Sequence, residues 1–167
     1  MINGDYDQSV LSRLVGCWQG TLSHRAEPDR PFQQIPGTSE NRWVLGGRFV
    51  EMTLRAGTSG DTWSAVFYIG YERSERRHVL VSLEPGDRRI TTRLGGWTVE
   101  QNRLVLTSQQ SRAVCDMTIA GRLTLELEEK PATGDAFVRF KAEYRTATAP
   151  VIVRSAQPRE HRRFVIA

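Results

Sequence analysis

Four polar residues have the side-chain types and the strand positions that could support proton transfer or ligand binding: His24, Arg48, Tyr71 and Tyr144. Each shares the alternating phase of apolar neighbours in a predicted β-strand, and residues in that phase face the interior of a sheet. Imidazole can act as a general base, and a phenolic hydroxyl can donate or accept a proton. We therefore predict His24, Tyr71 and Tyr144 as the catalytic residues if the protein is an enzyme.

Large apolar residues on the same strand faces predict a pocket wall for a small hydrophobic or aromatic molecule. Such pockets are mostly apolar, with a few polar groups that orient the ligand. The predicted ligand-binding residues are Trp18, Trp43, Arg48, Met52, Trp63, Phe67, Tyr71 and Trp97. The alternative is that these residues only pack the core, because tryptophan and arginine stack well without any ligand.

The remaining polar residues fall in the opposite phase, and we expect them to face solvent. These residues are Glu51, His78, Glu84, Arg139 and Glu143. His161 lies among charged neighbours at 159–163, so we expect a solvated tail there rather than a haem ligand. Cys17 and Cys115 lie in separate predicted strands, and we expect two buried thiols that do not form a disulfide.

Several cofactor signatures are absent from the sequence. It contains no His, Cys or carboxylate spacing typical of a metal site and no Gly-x-Ser-x-Gly elbow. It also contains no glycine-rich phosphate loop between a strand and a helix. We therefore expect neither a metal nor a nucleotide cofactor.

The elements that must position these side chains are β-strands. The clearest pair runs from Trp43 to Tyr71, where two alternating stretches are joined by a glycine-rich turn and preceded by Gly46-Gly47. Similar short strands recur up to Tyr144, about nine or ten in all, without helical crossovers. This pattern predicts an all-β fold, an antiparallel up-and-down barrel, because closing a sheet removes its exposed edges.

Three segments lie outside this alternation. Residues 7–15 have the apolar spacing of a short amphipathic helix, which Gly16 ends. Residues 26–36 contain three prolines and predict a loop that could act as a lid. The barrel strands span 17–145, and residues 146–167 form a tail that is either a further strand or a plug for one end.

Length, composition and charge limit the class of protein. A chain of 167 residues fits a single domain, 1–167, and 39% hydrophobic residues are enough for a core. The net charge is +4, but the arginines are scattered rather than clustered in a stripe, so we expect no nucleic-acid partner. No apolar run approaches the roughly 20 residues that span a bilayer, and no signal peptide is recognisable. We therefore expect a cytoplasmic protein with a small-molecule partner and no membrane contact, and a homodimer is compatible with the sequence.

Several stretches resemble a known family. They are LVGCWQG at 14–20, WVLGGRFVE at 43–51, and the pairs Gly70-Tyr71 and Tyr144-Arg145. They are similar to a bacterial family of lipocalin-like (calycin) barrels, the domain of unknown function 1579 family, over about residues 11–145. The resemblance implies a barrel with a central cavity and an arginine, Arg48 or Arg145, that packs over Trp18. It implies no reaction, and Glu72 departs from the aspartate that the family often has there.

Two functions of different classes follow from these observations. The first is a lipocalin-like binding protein that holds a small hydrophobic or aromatic molecule in its central cavity. The second is a cofactor-independent enzyme, such as a cyclase or isomerase of specialised metabolism, that uses the same cavity. Shape and a few well-placed donors are sufficient for such chemistry, because orientation alone lowers a barrier substantially.

Overall fold

The structure is a computed structural model that describes residues 9–25, 27–58, 61–83, 90–99 and 101–147. The predicted tail at 146–167 lies outside these ranges from residue 148 onward, and so do Glu84 and His161, which were expected to face solvent.

Ten antiparallel β-strands form a closed barrel. They are β1 (Gly16–His24), β2 (Gln33–Val44), β3 (Phe49–Thr58), β4 (Asp61–Glu72), β5 (Arg77–Leu83), β6 (Thr91–Thr98), β7 (Arg103–Thr107), β8 (Ser111–Asp116), β9 (Arg122–Glu129) and β10 (Phe137–Thr146). Each strand pairs with the next one along the chain, and β1 pairs with both β2 and β10. The predicted all-β, up-and-down barrel is confirmed, and its strand number is ten.

The barrel has two ends, which we name by the connections that they carry. The helix end holds the chain before β1, the turns β2–β3, β4–β5, β6–β7 and β8–β9, and the last residues of β10. The far end holds the connections β1–β2, β3–β4, β5–β6, β7–β8 and β9–β10. Because neighbouring strands run in opposite directions, the first residues of β1 and the last residues of β2 lie at the same end.

The middle of the barrel is a packed apolar core. Met52, Leu54, Phe67, Leu104 and Leu106 are each 0% exposed and belong to one continuous cluster of buried side chains. Side chains without any exposed surface cannot border a space large enough to admit water. The layer that these residues occupy therefore has no space for a ligand.

The residues of β5 that point into the barrel differ from those that were predicted to do so. His78, Leu80 and Ser82 are buried, at 2%, 1% and 2% exposure, whereas Val79 and Val81 on the opposite face are only partly buried. The prediction that His78 faces solvent is therefore wrong. Both faces of β5 carry apolar residues, so alternation alone does not distinguish the inner face from the outer one.

Two N-terminal boundaries also differ from the prediction. Within the described residues, 9–12 are helical and 13–14 form a turn, so the helix ends earlier than predicted. Strand β2 begins at Gln33, so the predicted loop at 26–36 is shorter. Pro36 is tolerated in β2 because the pairing with β3 begins only at Gly37, which leaves Pro36 paired with β1 alone.

The helical segment is brief and lies against the barrel. Val10, Leu11 and Leu14 are buried, at 4%, 1% and 0% exposure. Among the described residues, no helix has the length and apolar character needed to cross a membrane.

Candidate functional site

The helix end of the barrel is closed by hydrogen bonds to one backbone carbonyl. Trp18 Nε1 and Asn41 Nδ2 both donate to the carbonyl oxygen of Leu14, at 2.9 and 2.7 Å. Ser39 Oγ lies 2.5 Å from Asn41 Oδ1, and both residues are buried. These polar groups satisfy one another, which is what a closed end of a barrel requires.

Arg13 attaches the helical segment to the opposite side of the barrel. Its terminal nitrogens donate to Asn102 Oδ1 at 2.5 Å and to the carbonyl oxygen of Met117 at 2.8 Å. Its guanidinium carbon also lies 5.5 Å from the centre of the Trp97 ring, within the range of a cation–π contact. Trp97 therefore belongs to the closure of the helix end.

Arg48 does not point into the barrel, so its predicted inward position is wrong. It is exposed, at the end of the four-residue turn between β2 and β3. Leu45, Gly46 and Gly47 in this turn have φ angles of 52°, 68° and 78°. Left-handed residues interrupt the alternation of a strand, so the phase of Val50 cannot be extended back to Arg48.

The predicted site residues do not form one cluster. Trp18, Trp43, Tyr71 and Trp97 lie at the helix end, Met52 and Phe67 lie in the packed middle, and His24 and Trp63 lie at the far end. Tyr71 packs its ring against His78, with ring centres 5.0 Å apart. The predicted catalytic residues His24 and Tyr71 are thus at opposite ends, and no single reacting atom could contact both.

Two aromatic rings meet across the interior at the far end. The ring centres of Trp63 on β4 and Phe140 on β10 are 5.6 Å apart, with an angle of 33° between the ring planes. Strands β4 and β10 are not neighbours in the sheet, so this contact crosses the barrel. Phe140 is 4% exposed and Trp63 is partly buried.

Tyr144 lies on the inner face of β10, four residues beyond Phe140 and nearer to the helix end, and its hydroxyl is buried. The residue is 2% exposed, and its hydroxyl group has no hydrogen-bond partner within the described part of the chain. A Cβ atom at Gly37 would lie only 3.3 Å from the hydroxyl oxygen, so a glycine on β2 leaves room for it. Burial raises the pKa of Tyr144 well above its usual value, so the hydroxyl stays protonated and can donate a hydrogen bond at neutral pH.

His24 lies at the far end, next to Phe140. It pairs in register with Phe140, so the two side chains are neighbours on the inner face, and His24 Nδ1 is buried with no hydrogen-bond partner among the described residues. Tyr144 follows Phe140 by four residues on the same face of β10. We call His24, Trp63 and Phe140 the far-end cluster. The Tyr144 hydroxyl lies beside Gly37, which is linked to Trp63 through Ala56 in the register of the strands.

Small residues surround the far-end cluster. Gly37 pairs with Ala56, which in turn pairs with Trp63. On the other side, Gly20 pairs with both Gly37 and Tyr144. These small residues give the large rings and the tyrosine hydroxyl room inside the barrel.

A polar cleft of about 730 Å³ lies at the same end, on the side formed by β6, β8, β9 and the β7–β8 connection. Its lining includes Arg93, Ser108, Ser111, Glu129, Lys130 and Arg139. Arg93 is 2% exposed although it is charged. No group of three or more metal-binding side chains occurs in the described ranges.

Several of these residues carry no clear signal in the sequence. The contact of Phe140 with Trp63 depends on the closure of the barrel, which no local pattern reveals. Arg139 was predicted to face solvent; its side chain is 38% exposed, and it also lines the cleft. Arg93 and Asn41 are single polar residues within strands, and their burial depends on partners that are distant in sequence. The alternating phase did identify Tyr144 as an inward polar residue.

Comparisons with known proteins identify a family but no activity. A search of curated proteins found no match to the chain. Residues 6–131 match a family described as protein of unknown function, DUF1579, so the match covers the barrel up to the end of β9. The resemblance read from the sequence is thereby confirmed: the chain belongs to the DUF1579 family.

Proposed function

We propose that this protein binds a small molecule at the far-end cluster. The ligand has an apolar or aromatic body, which lies against Trp63 and Phe140, and an acceptor atom that receives a hydrogen bond from Tyr144. This places binding at one end of the barrel rather than in a cavity along its whole length. The packed middle and the hydrogen-bonded helix end support this location.

The hydroxyl group of Tyr144 is the observation that carries the proposal. A buried polar group without a partner destabilises a fold by about 1–3 kcal/mol. Such groups are uncommon in native structures, and a bound ligand is one explanation for them. A second buried atom, His24 Nδ1, has no hydrogen-bond partner in the described ranges and belongs to the far-end cluster. An apolar surface with a few polar groups is typical of a ligand site.

The same geometry supports binding better than the cyclase or isomerase alternative. The raised pKa keeps the Tyr144 hydroxyl protonated, so at neutral pH the group can donate a hydrogen bond but is a poor general base. Tyr71 is at the other end of the barrel, so it cannot act together with His24. We therefore assign Tyr144 and His24 to ligand orientation.

The test replaces Tyr144 by phenylalanine and uses Tyr68→Phe as a matched control. Tyr68 lies on β4, outside the cluster, and its hydroxyl donates to Glu51 Oε2 at 2.9 Å. We expect Tyr144→Phe to keep or raise the free energy of unfolding, because the variant removes an unsatisfied buried hydroxyl. Its affinity for 2-acetylnaphthalene, a neutral aromatic ketone, should fall roughly three- to tenfold.

Urea unfolding and isothermal titration with 2-acetylnaphthalene measure the two effects separately. The Tyr68→Phe control should bind the ketone as the unmodified protein does. If Tyr144→Phe lowers the free energy of unfolding by more than about 1 kcal/mol and leaves ketone affinity unchanged, the hydroxyl has a structural role and the proposal is wrong.

A further inference from the structure

Three turns at the helix end carry exposed apolar side chains, although turns are usually polar. Leu45 lies in the β2–β3 turn, Val99 in the β6–β7 turn and Ile119 in the β8–β9 turn. Their exposures are 71%, 65% and 55%. A single exposed apolar residue is ordinary, but several at one end of a molecule favour a contact surface.

Leu45 also has a backbone conformation that leucine rarely adopts. Its φ angle is 52°, in the left-handed region where a Cβ atom is disfavoured and glycine or asparagine is usual. The side chain is mostly exposed, so packing within the protein does not compensate for this conformation. A residue that neither the backbone nor the core favours points to a role outside the fold.

Two arginines face each other beside the β8–β9 turn. Arg122, at the start of β9, is the register partner of Arg145 near the end of β10. Both residues are exposed, and neither forms an ion pair within the described part of the chain. The nearby carboxylate of Glu143 is paired with Lys141 at 2.8 Å. Like charges directly opposite on neighbouring strands repel each other, so an external anion would stabilise this pair.

The apolar turns and the arginine pair lie along one continuous part of the barrel rim. In barrel order, this part runs from the β6–β7 turn through the β8–β9 turn, the end of β10 and the start of β1 to the β2–β3 turn. Thr118 Oγ1 donates to the carbonyl oxygen of Gln101 at 3.1 Å, which joins the first two turns. The amide of Thr146 donates to the carbonyl oxygen of Gly121 at 3.0 Å, which joins β10 to the β8–β9 turn. The helix-end rim, as we call it, consists of Leu45, Arg48, Val99, Ile119, Arg122 and Arg145.

The combination of apolar and cationic groups distinguishes between classes of partner. Arginine binds phosphate groups well, with two parallel hydrogen bonds. A nucleic acid presents phosphates, but it offers no apolar layer that the side chains of the turns could enter. A membrane with anionic lipids offers both, because phosphates lie at its surface and acyl chains lie directly below them.

We propose that the helix-end rim binds the surface of a membrane that contains anionic lipids. Leu45, Val99 and Ile119 enter the boundary between head groups and acyl chains, while the arginines of the rim bind lipid phosphates. No membrane contact was expected from the sequence, because the sequence lacks an apolar run of spanning length. Turns that enter only the head-group boundary need no such run. The far-end cluster is at the opposite end, so this proposal is independent of the proposed function.

The test is co-sedimentation of the full chain with lipid vesicles. One set of vesicles contains equal amounts of phosphatidylcholine and phosphatidylglycerol, and the other contains phosphatidylcholine alone. We expect at least roughly tenfold tighter binding to the anionic vesicles, because each basic residue near an anionic surface contributes roughly fivefold. Binding should weaken as the salt concentration rises, because salt screens the charge of the head groups.

Arg122→Gln and Arg145→Gln test the charged part of the rim. Each should weaken binding to the anionic vesicles by roughly fivefold. Each should also keep or raise the melting temperature, because it removes one member of a repelling pair. Arg112→Gln is the matched control, because Arg112 is exposed near the start of β8, at the far end, and the change in net charge is the same. This control should leave vesicle binding unchanged.

Leu45→Asn tests the apolar part of the rim. Asparagine adopts a left-handed φ more readily than leucine, so this variant should keep or raise the melting temperature. Its binding to the anionic vesicles should fall by roughly threefold or more, because one apolar side chain no longer leaves water. Ile90→Asn is the matched control, because Ile90 is 69% exposed and lies at the far end. It should bind vesicles as the unmodified protein does.

Two vesicle results would overturn the proposal. The first is equal binding to both kinds of vesicle, or binding to neither. The second is binding to anionic vesicles that Leu45→Asn does not weaken, because charge attraction alone would then account for the contact.

Other occupants of the rim give distinguishable results, each of which would also overturn the proposal. Equally tight binding of a single-stranded oligonucleotide would assign the rim to nucleic acid. A dimer that Leu45→Asn dissociates would assign it to a second copy of the chain. A lower melting temperature in Leu45→Asn or Arg122→Gln would show that the chain itself contacts these side chains.

Discussion

At the scale of single residues, the contact between Tyr144 and Gly37 decides how much space the barrel interior has beside β2. The tyrosine occupies an inner position that a side chain on β2 would otherwise fill, and its hydroxyl lies where a Cβ atom at Gly37 would be in close contact. The carbonyl oxygen of Arg55 and the Cβ of Leu22 lie 3.4 Å from the same position. Packing and ligand binding therefore depend on the same small volume.

Substituting Gly37 with alanine should crowd Tyr144. We expect Gly37→Ala to lower the free energy of unfolding by about 1–3 kcal/mol, which is typical of overpacking in a core. In the Tyr144→Phe background, Gly37→Ala should lower the free energy of unfolding by less, because the Tyr144 hydroxyl oxygen, the atom closest to the new Cβ, has been removed. Urea unfolding of the single and double variants measures this coupling, with an expected value of about 0.5 kcal/mol or more.

Gly96→Ala is the control for the Gly37 experiment. A Cβ atom at Gly96 would meet no atom within 4 Å, so this change should have little effect on stability. If the effects of Gly37→Ala and Tyr144→Phe on the free energy of unfolding are additive, the Tyr144 hydroxyl does not lie beside the Cβ position of residue 37.

At the scale of elements, the helical segment acts as the closure of one barrel end. A single helical turn is too short to be stable alone, so tertiary contacts must hold it. Leu11 and Leu14 supply the buried apolar surface, and the Leu14 carbonyl accepts two side-chain hydrogen bonds. Arg13 joins this segment to the β6–β7 and β8–β9 connections.

Removing the Arg13 side chain should loosen this closure. We expect Arg13→Ala to lower the free energy of unfolding by about 1–2 kcal/mol, because it removes two hydrogen bonds and a cation–π contact. Amide hydrogen exchange should become faster in residues 11–15, while binding at the far end stays unchanged. Arg122→Ala, an exposed arginine at the same end, is the control. A change in stability no larger than that of the control would contradict the role given to Arg13.

The elements also show how far alternation can predict structure. The pair of strands from Trp43 to Tyr71 corresponds to the end of β2, β3 and β4, because each has one clearly apolar face. The inner face of β5 was predicted incorrectly, because Val79 and Val81 are apolar but face outward. The burial of Arg93 on β6 depends on serines from β5 and β8, which no local pattern reveals.

At the scale of the whole molecule, the number of predicted strands was enough to predict a closed barrel. The alternating phase of a residue did not predict the end of the barrel at which the residue lies. Trp18 and Trp63 each occupy the third position of a strand, β1 and β4. These strands run in opposite directions, so the two side chains lie at opposite ends of the barrel. The alternating phase shows which face of the sheet a residue lies on. The position of the residue along its strand shows which end of the barrel it is near. The predicted aromatic wall combined residues from both ends for this reason.

The four tryptophans therefore report separately on the two ends. Trp63 lies at the far end, and Trp18, Trp43 and Trp97 lie at the helix end. Each indole N–H gives its own peak in a ¹H–¹⁵N correlation spectrum, and the Trp63→Phe variant assigns the peak of Trp63. A titration with 2-acetylnaphthalene should shift the Trp63 peak and leave the other three in place. Shifts of the Trp18, Trp43 or Trp97 peaks without a shift of Trp63 would place the ligand at the helix end and contradict the account.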